Sequence, residues 1–152
     1  MSKRDVRVKT FVAEATARLE FLQTEHGFTG PTIEPSEPPD LRRRLVLTVS
    51  YGRRDLVAMT SLVFDYMGDE RLLTVLLRGD GSGSDRQRTV IGDDRAHTGY
   101  QMRRALDRQA DAIRAAVSSP LGRWPQPPRR GRRPRRDRGL APVRPLSAPG
   151  DA

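Results

Sequence analysis

Asp93, Asp94, His97 and Tyr100 form the one polar cluster whose types and spacing suit chemistry. Set on a helix, Asp93 and His97 stand at i,i+4 and share a face. A carboxylate so placed could orient the imidazole as a general base, or the pair could hold a metal ion. A metal needs further ligands, and His26 is the sole other histidine. With no Cys in the chain there is no thiolate ligand, disulfide or cysteine nucleophile. A plainer reading competes with the catalytic one. Thr98 and Gln101 fit a capping box, which puts His97 at N′ and lets it pack on Met102 as a staple. The sequence favours this plainer reading. Neither G-x-S-x-G nor H-E-x-x-H occurs, so no catalytic, metal or cofactor residue is assigned and the chain reads as a non-enzyme.

Other motifs weigh less. Arg78-Gly79-Asp80 is the cell-adhesion tripeptide, but Arg, Gly and Asp are abundant here and chance explains it. Asp80 to Asp85 opens like a calcium loop. It then fails, because Asp85 stands where Gly belongs and Ile91 where the bidentate Glu belongs. A loop between strands is the better account. In the C-terminal part, Arg129, Arg130, Arg132, Arg133, Arg135 and Arg136 make an arginine-rich run of the kind that contacts nucleic acid. Pro125-Gln126-Pro127-Pro128-Arg129 matches a polyproline ligand pattern. Low-complexity Pro/Arg sequence produces both patterns readily, and a frameshift or lost stop codon in a GC-rich gene would produce such a tail as well.

Charge separates the chain into two parts. Of the 28 basic and 19 acidic residues, nine Arg and two Asp lie in residues 120–152. That leaves 19 basic and 17 acidic groups in residues 1–119, which are nearly neutral. Attraction to nucleic acid is therefore expected from the tail. Eight of the 12 Pro also lie there, with almost no apolar periodicity, so 120–152 is expected to be disordered. Residues 1–119 are expected to form one small domain. No apolar run approaches a membrane span, and the charged start Lys3-Arg4-Asp5 is unlike a signal peptide. The expected location is cytoplasmic.

The elements that would carry these residues follow from periodicity. Val8, Phe11, Val12, Ala15, Leu19 and Leu22 mark an amphipathic helix over 5–25, stopped by Gly27. Four prolines between Phe28 and Asp40 exclude a helix there, and the segment reads as an acidic loop. Leu45–Tyr51, Leu56–Phe64 and Leu72–Leu77 read as three antiparallel strands, with Thr89–Ile91 as a short fourth. Met102, Leu106, Ala110, Ile113 and Val117 mark a second helix that Pro120 ends. The fold class is thus α+β, a three- to four-stranded antiparallel meander flanked by an N-terminal and a C-terminal helix.

Register decides which face is core. Pairing Tyr51 with Leu56 and Tyr66 with Arg71 puts Leu45, Leu47, Val49, Tyr51, Leu56, Ala58, Leu62, Phe64, Leu73, Val75 and Leu77 under the helices. The expected core is Phe11, Ala15, Leu19, Leu22, Leu47, Val49, Leu62, Phe64, Val75, Leu106, Ile113 and Val117. Val46, Val57, Met59, Val63, Leu72 and Leu76 are left on the reverse face without an evident cover. A contiguous apolar group on one sheet face often marks an interface, so a protein partner or a second copy is expected there.

The phrase Arg18-Leu19-Glu20-Phe21-Leu22-Gln23-Thr24-Glu25-His26-Gly27-Phe28, followed by an acidic Pro-containing segment, a meander and a closing helix, resembles small bacterial α+β proteins of immunity-protein-like organisation. The resemblance covers residues 5–119 and carries no catalytic residue across. It implies a non-enzymatic protein whose surface meets another protein.

Overall fold

The computed structural model describes residues 1–36, 43–65, 67–79 and 86–119. The expectations for the tail, its arginine run Arg129–Arg136, Tyr66 and the Asp80–Asp85 loop lie outside these residues. Among those described, two helices α1 (Lys3–Leu19) and α2 (Phe21–His26) lead into five strands: β1 (Thr29–Ser36), β2 (Arg43–Arg53), β3 (Leu56–Asp65), β4 (Glu70–Arg78) and β5 (Gln87–Arg95). Helix α3 (Gly99–Ser118) closes the domain. The strands form one antiparallel sheet in sequence order.

Local chemistry sets the element ends. Ser2 caps α1 in a capping box with Asp5, and Thr98 caps α3 in the one expected with Gln101. Gly27 ends α2 at φ 67°, the left-handed stop a side chain would resist. The expected single helix over 5–25 is instead α1 and α2, divided at Glu20.

The expected loop over 28–40 is in part a strand. Pro31 and Pro35 exclude a helix but not an edge strand, where a missing N–H can face away from the neighbour. β1 pairs with β2 from Thr29 to Ser36, with an irregularity between Thr29 and Thr32. The fourth strand expected at Thr89–Ile91 is longer, so the sheet has five strands rather than three or four.

An odd strand count has a topological consequence. β1 and β5 point the same way, and each joins its helix through a short reversal, so α1 and α3 run parallel. The interhelical ion pairs show the register directly. Arg103 reaches Glu14 (2.8 Å), Arg18 reaches Asp107 (2.5 Å) and Arg114 reaches Glu25 (2.7 Å), each across 89 residues. Arg18 also pairs with Glu14 within α1. Hydrogen bonding to Arg103, aided by Arg18, holds the Glu14 carboxyl below its ordinary range despite partial burial.

All three helices pack on one sheet face. Phe11, Ala15, Leu19, Phe21 and Leu22 meet Met102, Ala105, Leu106, Ala110, Ile113 and Ala116 over Leu47, Val49, Tyr51, Leu56, Ala58, Leu62, Leu72 and Leu76. Phe64 and Val117, expected in this core, lie partly buried at its margin.

The two sheet registers depart from expectation differently. At β2–β3 the turn is two residues, Arg54 and Asp55, with Arg54 at φ 41°. Tyr51 therefore faces Ala58 rather than Leu56. An even slip of two keeps every side chain on its expected face. At β3–β4 the slip is odd: Phe64 pairs with Glu70 and Val63 with Arg71. An odd slip inverts the strand, so Leu72 and Leu76 belong to the core, while Leu73, Val75 and Leu77 turn to the reverse face.

A buried polar chain locks α3 to the sheet. Thr74 donates to Gln109 Oε1 (2.6 Å) and lies 2.9 Å from the Thr60 hydroxyl. Gln109 Nε2 donates to the Leu72 carbonyl (3.2 Å) and to Asp94 Oδ2 (2.9 Å). Gln109 lies flat over Gly92, where an added Cβ would sit 2.7 Å from Gln109 Cγ.

Candidate interaction face

The cluster singled out for chemistry is not brought together as a catalytic set. Asp93 and Asp94 lie on β5 rather than on a helix, so the i,i+4 relation to His97 does not arise. Asp93 takes the Arg71 guanidinium (2.9 Å), and Asp94 takes Arg108 (2.9 Å) and Gln109. His97 Nε2 instead stands 3.4 Å from Asp69. Among the described residues no group of three or more His, Cys, Asp or Glu is placed to hold a metal ion.

Two crevices lie at opposite ends of the sheet. One of about 760 Å³ is lined by Arg53, Arg54, Asp55, Arg78 and the end of α3. Its charges are largely engaged: Arg53 donates to the His26 carbonyl (2.7 Å) and covers the Phe28 ring, and Asp55 lies 4.0 Å from Arg78. The other, about 470 Å³, lies between the start of α1 and the β3–β4 turn. There Arg7 faces Glu70 (3.1 Å) and Arg4 covers the Phe64 ring.

The reverse face of the sheet stands out on composition. From the registers, β2 contributes Val46, Thr48 and Ser50, β3 contributes Val57, Met59, Ser61 and Val63, and β4 contributes Leu73, Val75 and Leu77. Val63 pairs with Val46, Met59 with Val75 and Val57 with Leu77, so apolar pairs link neighbouring strands, while Arg71, the Thr48–Ser61 pair, Ser50 and Gly52 each interrupt one row. Val63 and Val75 are buried yet stand apart from the helix-side core. Val90 extends the face onto β5 and is 54 % exposed. In its middle, Thr48 and Ser61 share a hydrogen bond of 2.8 Å, which satisfies both hydroxyls without water.

Of the six residues expected on this face, Val46, Val57, Met59 and Val63 are there. Leu72 and Leu76 are not, at 0 % and 1 % exposure beneath the helices. Leu73, Val75, Leu77 and Val90 take their place. Nothing in the alternating Leu72–Leu77 stretch could have separated the two sets, because both phases of that strand are apolar.

Charge flanks the apolar centre unevenly. Arg71, Arg88 and Arg95, with Asp93, lie toward β5 on this face, and Glu34 lies toward β1. Both outer strands resist further pairing. β1 carries Pro31 and Pro35, while β5 carries an irregularity between Val90 and Gly92 and the charges Arg88, Asp93, Asp94 and Arg95. Among the described residues no helix is long and apolar enough to cross a membrane. Comparison with protein-family models, curated proteins and solved structures found no match.

Proposed function

We propose that this chain is a small non-enzymatic interaction module that docks a protein on the reverse face of its sheet. The observation that carries this reading is the apolar set Val46, Val57, Met59, Val63, Leu73, Val75 and Leu77 on the side away from all three helices. Blunted edges direct association to the face, since strand addition would have to displace prolines or charges. Five strands about 4.8 Å apart and eight residues long offer a footprint of roughly 600 Å², close to the ~800 Å² per partner of a stable interface. Met59, unbranched and central, suits an adaptable contact.

A second copy is the occupant tested below. A two-fold axis parallel to the strands lays the β5 side of one sheet over the β1 side of the other, bringing Glu34 to the row of Asp93, with Arg71 and Arg95 in the next row. Such a contact is isologous and closes. The module would act in the cytoplasm, as an immunity-like or adaptor protein.

The test is Val57→Lys with Met59→Lys. Both side chains are half-buried and project from the face. The double variant is expected to keep its far-ultraviolet circular dichroism and to convert a dimer to a monomer by light scattering. A wild-type chain that stays monomeric at high concentration refutes self-association. A double variant that unfolds places these side chains in a core and refutes the interface.

A further inference from the structure

At the corner where β5 hands over to α3 lies a crevice of about 490 Å³, within the ordinary size of a small-ligand site. It is lined by Arg95, Thr98, Tyr100, Gln101, Arg104 and Arg108, three guanidiniums and no carboxylate. This selection is unusual for a domain in which acids and bases nearly balance. Elsewhere on the helices, Arg18, Arg103 and Arg114 each meet a carboxylate. Arg95 and Arg104 meet none within 4.0 Å among the described residues. Arg108 is held at the rim by Asp94, whose second oxygen is tied inward to Gln109.

The aromatic member has its own geometry. The Arg104 guanidinium lies 5.7 Å from the Tyr100 ring centroid, and its NH1 donates to the Tyr100 hydroxyl (3.4 Å). The ring nevertheless remains 65 % exposed, in contrast to the buried Tyr51. The helix terminus itself adds little, because Thr98 and Gln101 already cap it.

We propose that this crevice binds a nucleotide unit, with its phosphate among Arg95, Arg104 and Arg108 and its base stacked on Tyr100. Guanidinium forks match phosphate oxygens bidentately. An aromatic ring accepts the face of any base, and an arginine on the same ring adds a cation–π component. The anion supplies a counter-charge to Arg95 and Arg104, while Arg108 already has Asp94. Nothing beside the ring is arranged to read a base edge, so recognition is of phosphate plus π-face and is independent of sequence. The same chemistry is offered by a free mononucleotide and by a single strand. The site shares only Arg95 with the flank of the sheet face, and its test reads Tyr100 and Arg104, which lie on α3 outside that face.

The experiment uses the full chain and a fluorescein-labelled oligodeoxythymidylate, read by anisotropy, with thymidine monophosphate, unlabelled oligomer and inorganic pyrophosphate as competitors. The arginines beyond Ser119 are the same in every variant, so a difference between variants reports the crevice. Tyr100→Ala and Arg104→Gln are each expected to weaken strand binding at least about five-fold, the low end of what one stacked base contributes. Tyr100→Phe keeps the ring and is expected to retain affinity. Displacement by the monophosphate supports a free nucleotide as the natural occupant, and displacement by the oligomer alone supports a strand. Equal affinity for wild type, Tyr100→Ala and Arg104→Gln, with unchanged circular dichroism, overturns the site. Pyrophosphate competing as well as the nucleotide overturns the base contact.

Discussion

Gly92→Ala is the substitution for which the structure and a simple view of glycine disagree in sign. Gly92 sits in β5 beside the irregularity between Val90 and Gly92, and no positive φ requires glycine there. Replacing such a glycine restricts the unfolded chain and would normally stabilise by about 0.4–1 kcal/mol. The space above it reverses the expectation. The new Cβ would lie 2.7 Å from Gln109 Cγ, 2.8 Å from Nε2 and 3.0 Å from Cδ. A flexible side chain could normally swing away, but Gln109 is 3 % exposed and held by hydrogen bonds with Thr74, Leu72 and Asp94. Moving it breaks two or three of these, leaving the Thr74 hydroxyl with Thr60 alone and taking a donor from the Leu72 carbonyl and from Asp94. Each intramolecular hydrogen bond is worth about 0.5–1.5 kcal/mol net, and a stranded buried group costs about 1–3 kcal/mol. Net of the glycine gain, the expected destabilisation is about 1–3 kcal/mol. Urea unfolding followed by circular dichroism measures it. Fluorescence would not serve, since the only Trp is Trp124, outside the described residues. The decisive comparison is a double-mutant cycle with Gln109→Ala. Once that side chain is gone, Gly92→Ala should lose its penalty or become stabilising. An equal cost in both backgrounds would refute the proposed clash, and stabilisation in the wild-type background would show that Gln109 is not pinned.

Two further outcomes test the register and the helix pairing. Leu72→Ala is expected to destabilise by about 2–5 kcal/mol, as for a fully buried leucine, and Leu73→Ala by much less. The reverse order would restore the inverted β4 register. Glu14 has a depressed carboxyl pKa in the folded state through Arg103 and Arg18, so its charged form stabilises the fold at pH above its ordinary value of 4.5. That contribution is lost as pH falls through the lower folded pKa. Glu14→Gln should therefore unfold more readily than wild type near neutral pH, with the gap closing in acid. A gap that is constant from neutral pH into acid would show that the Glu14 charge is not what couples α1 to α3.

Much of this fold is written in local chemistry. The 3.6-residue stripes of α1 and α3, the Thr98–Gln101 box and the Gly27 stop are properties of neighbouring residues, and they lie where the sequence places them. The β2–β3 faces survived a misplaced turn because the slip was even. β1 was hidden because its prolines speak against any regular structure until a neighbouring strand supplies the pairing. The candidate site was legible only in part for a related reason. On β2 and β3 the two faces differ in polarity, so alternation assigns Val46, Val57, Met59 and Val63. β4 is apolar in both phases, and only the turn geometry after Asp65, where the Asp69 N–H donates to the Asp65 carboxylate at 2.8 Å, fixes which leucines turn inward. Contacts between residues about 90 positions apart, such as Glu14 with Arg103, have no local signature at all. The crevice at Arg95, Tyr100, Arg104 and Arg108 belongs to the same class. Its arginines are unremarkable in a chain with 26 of them, and it is the packing of α3 against β5 that gathers three together with only Asp94 beside them, on Arg108.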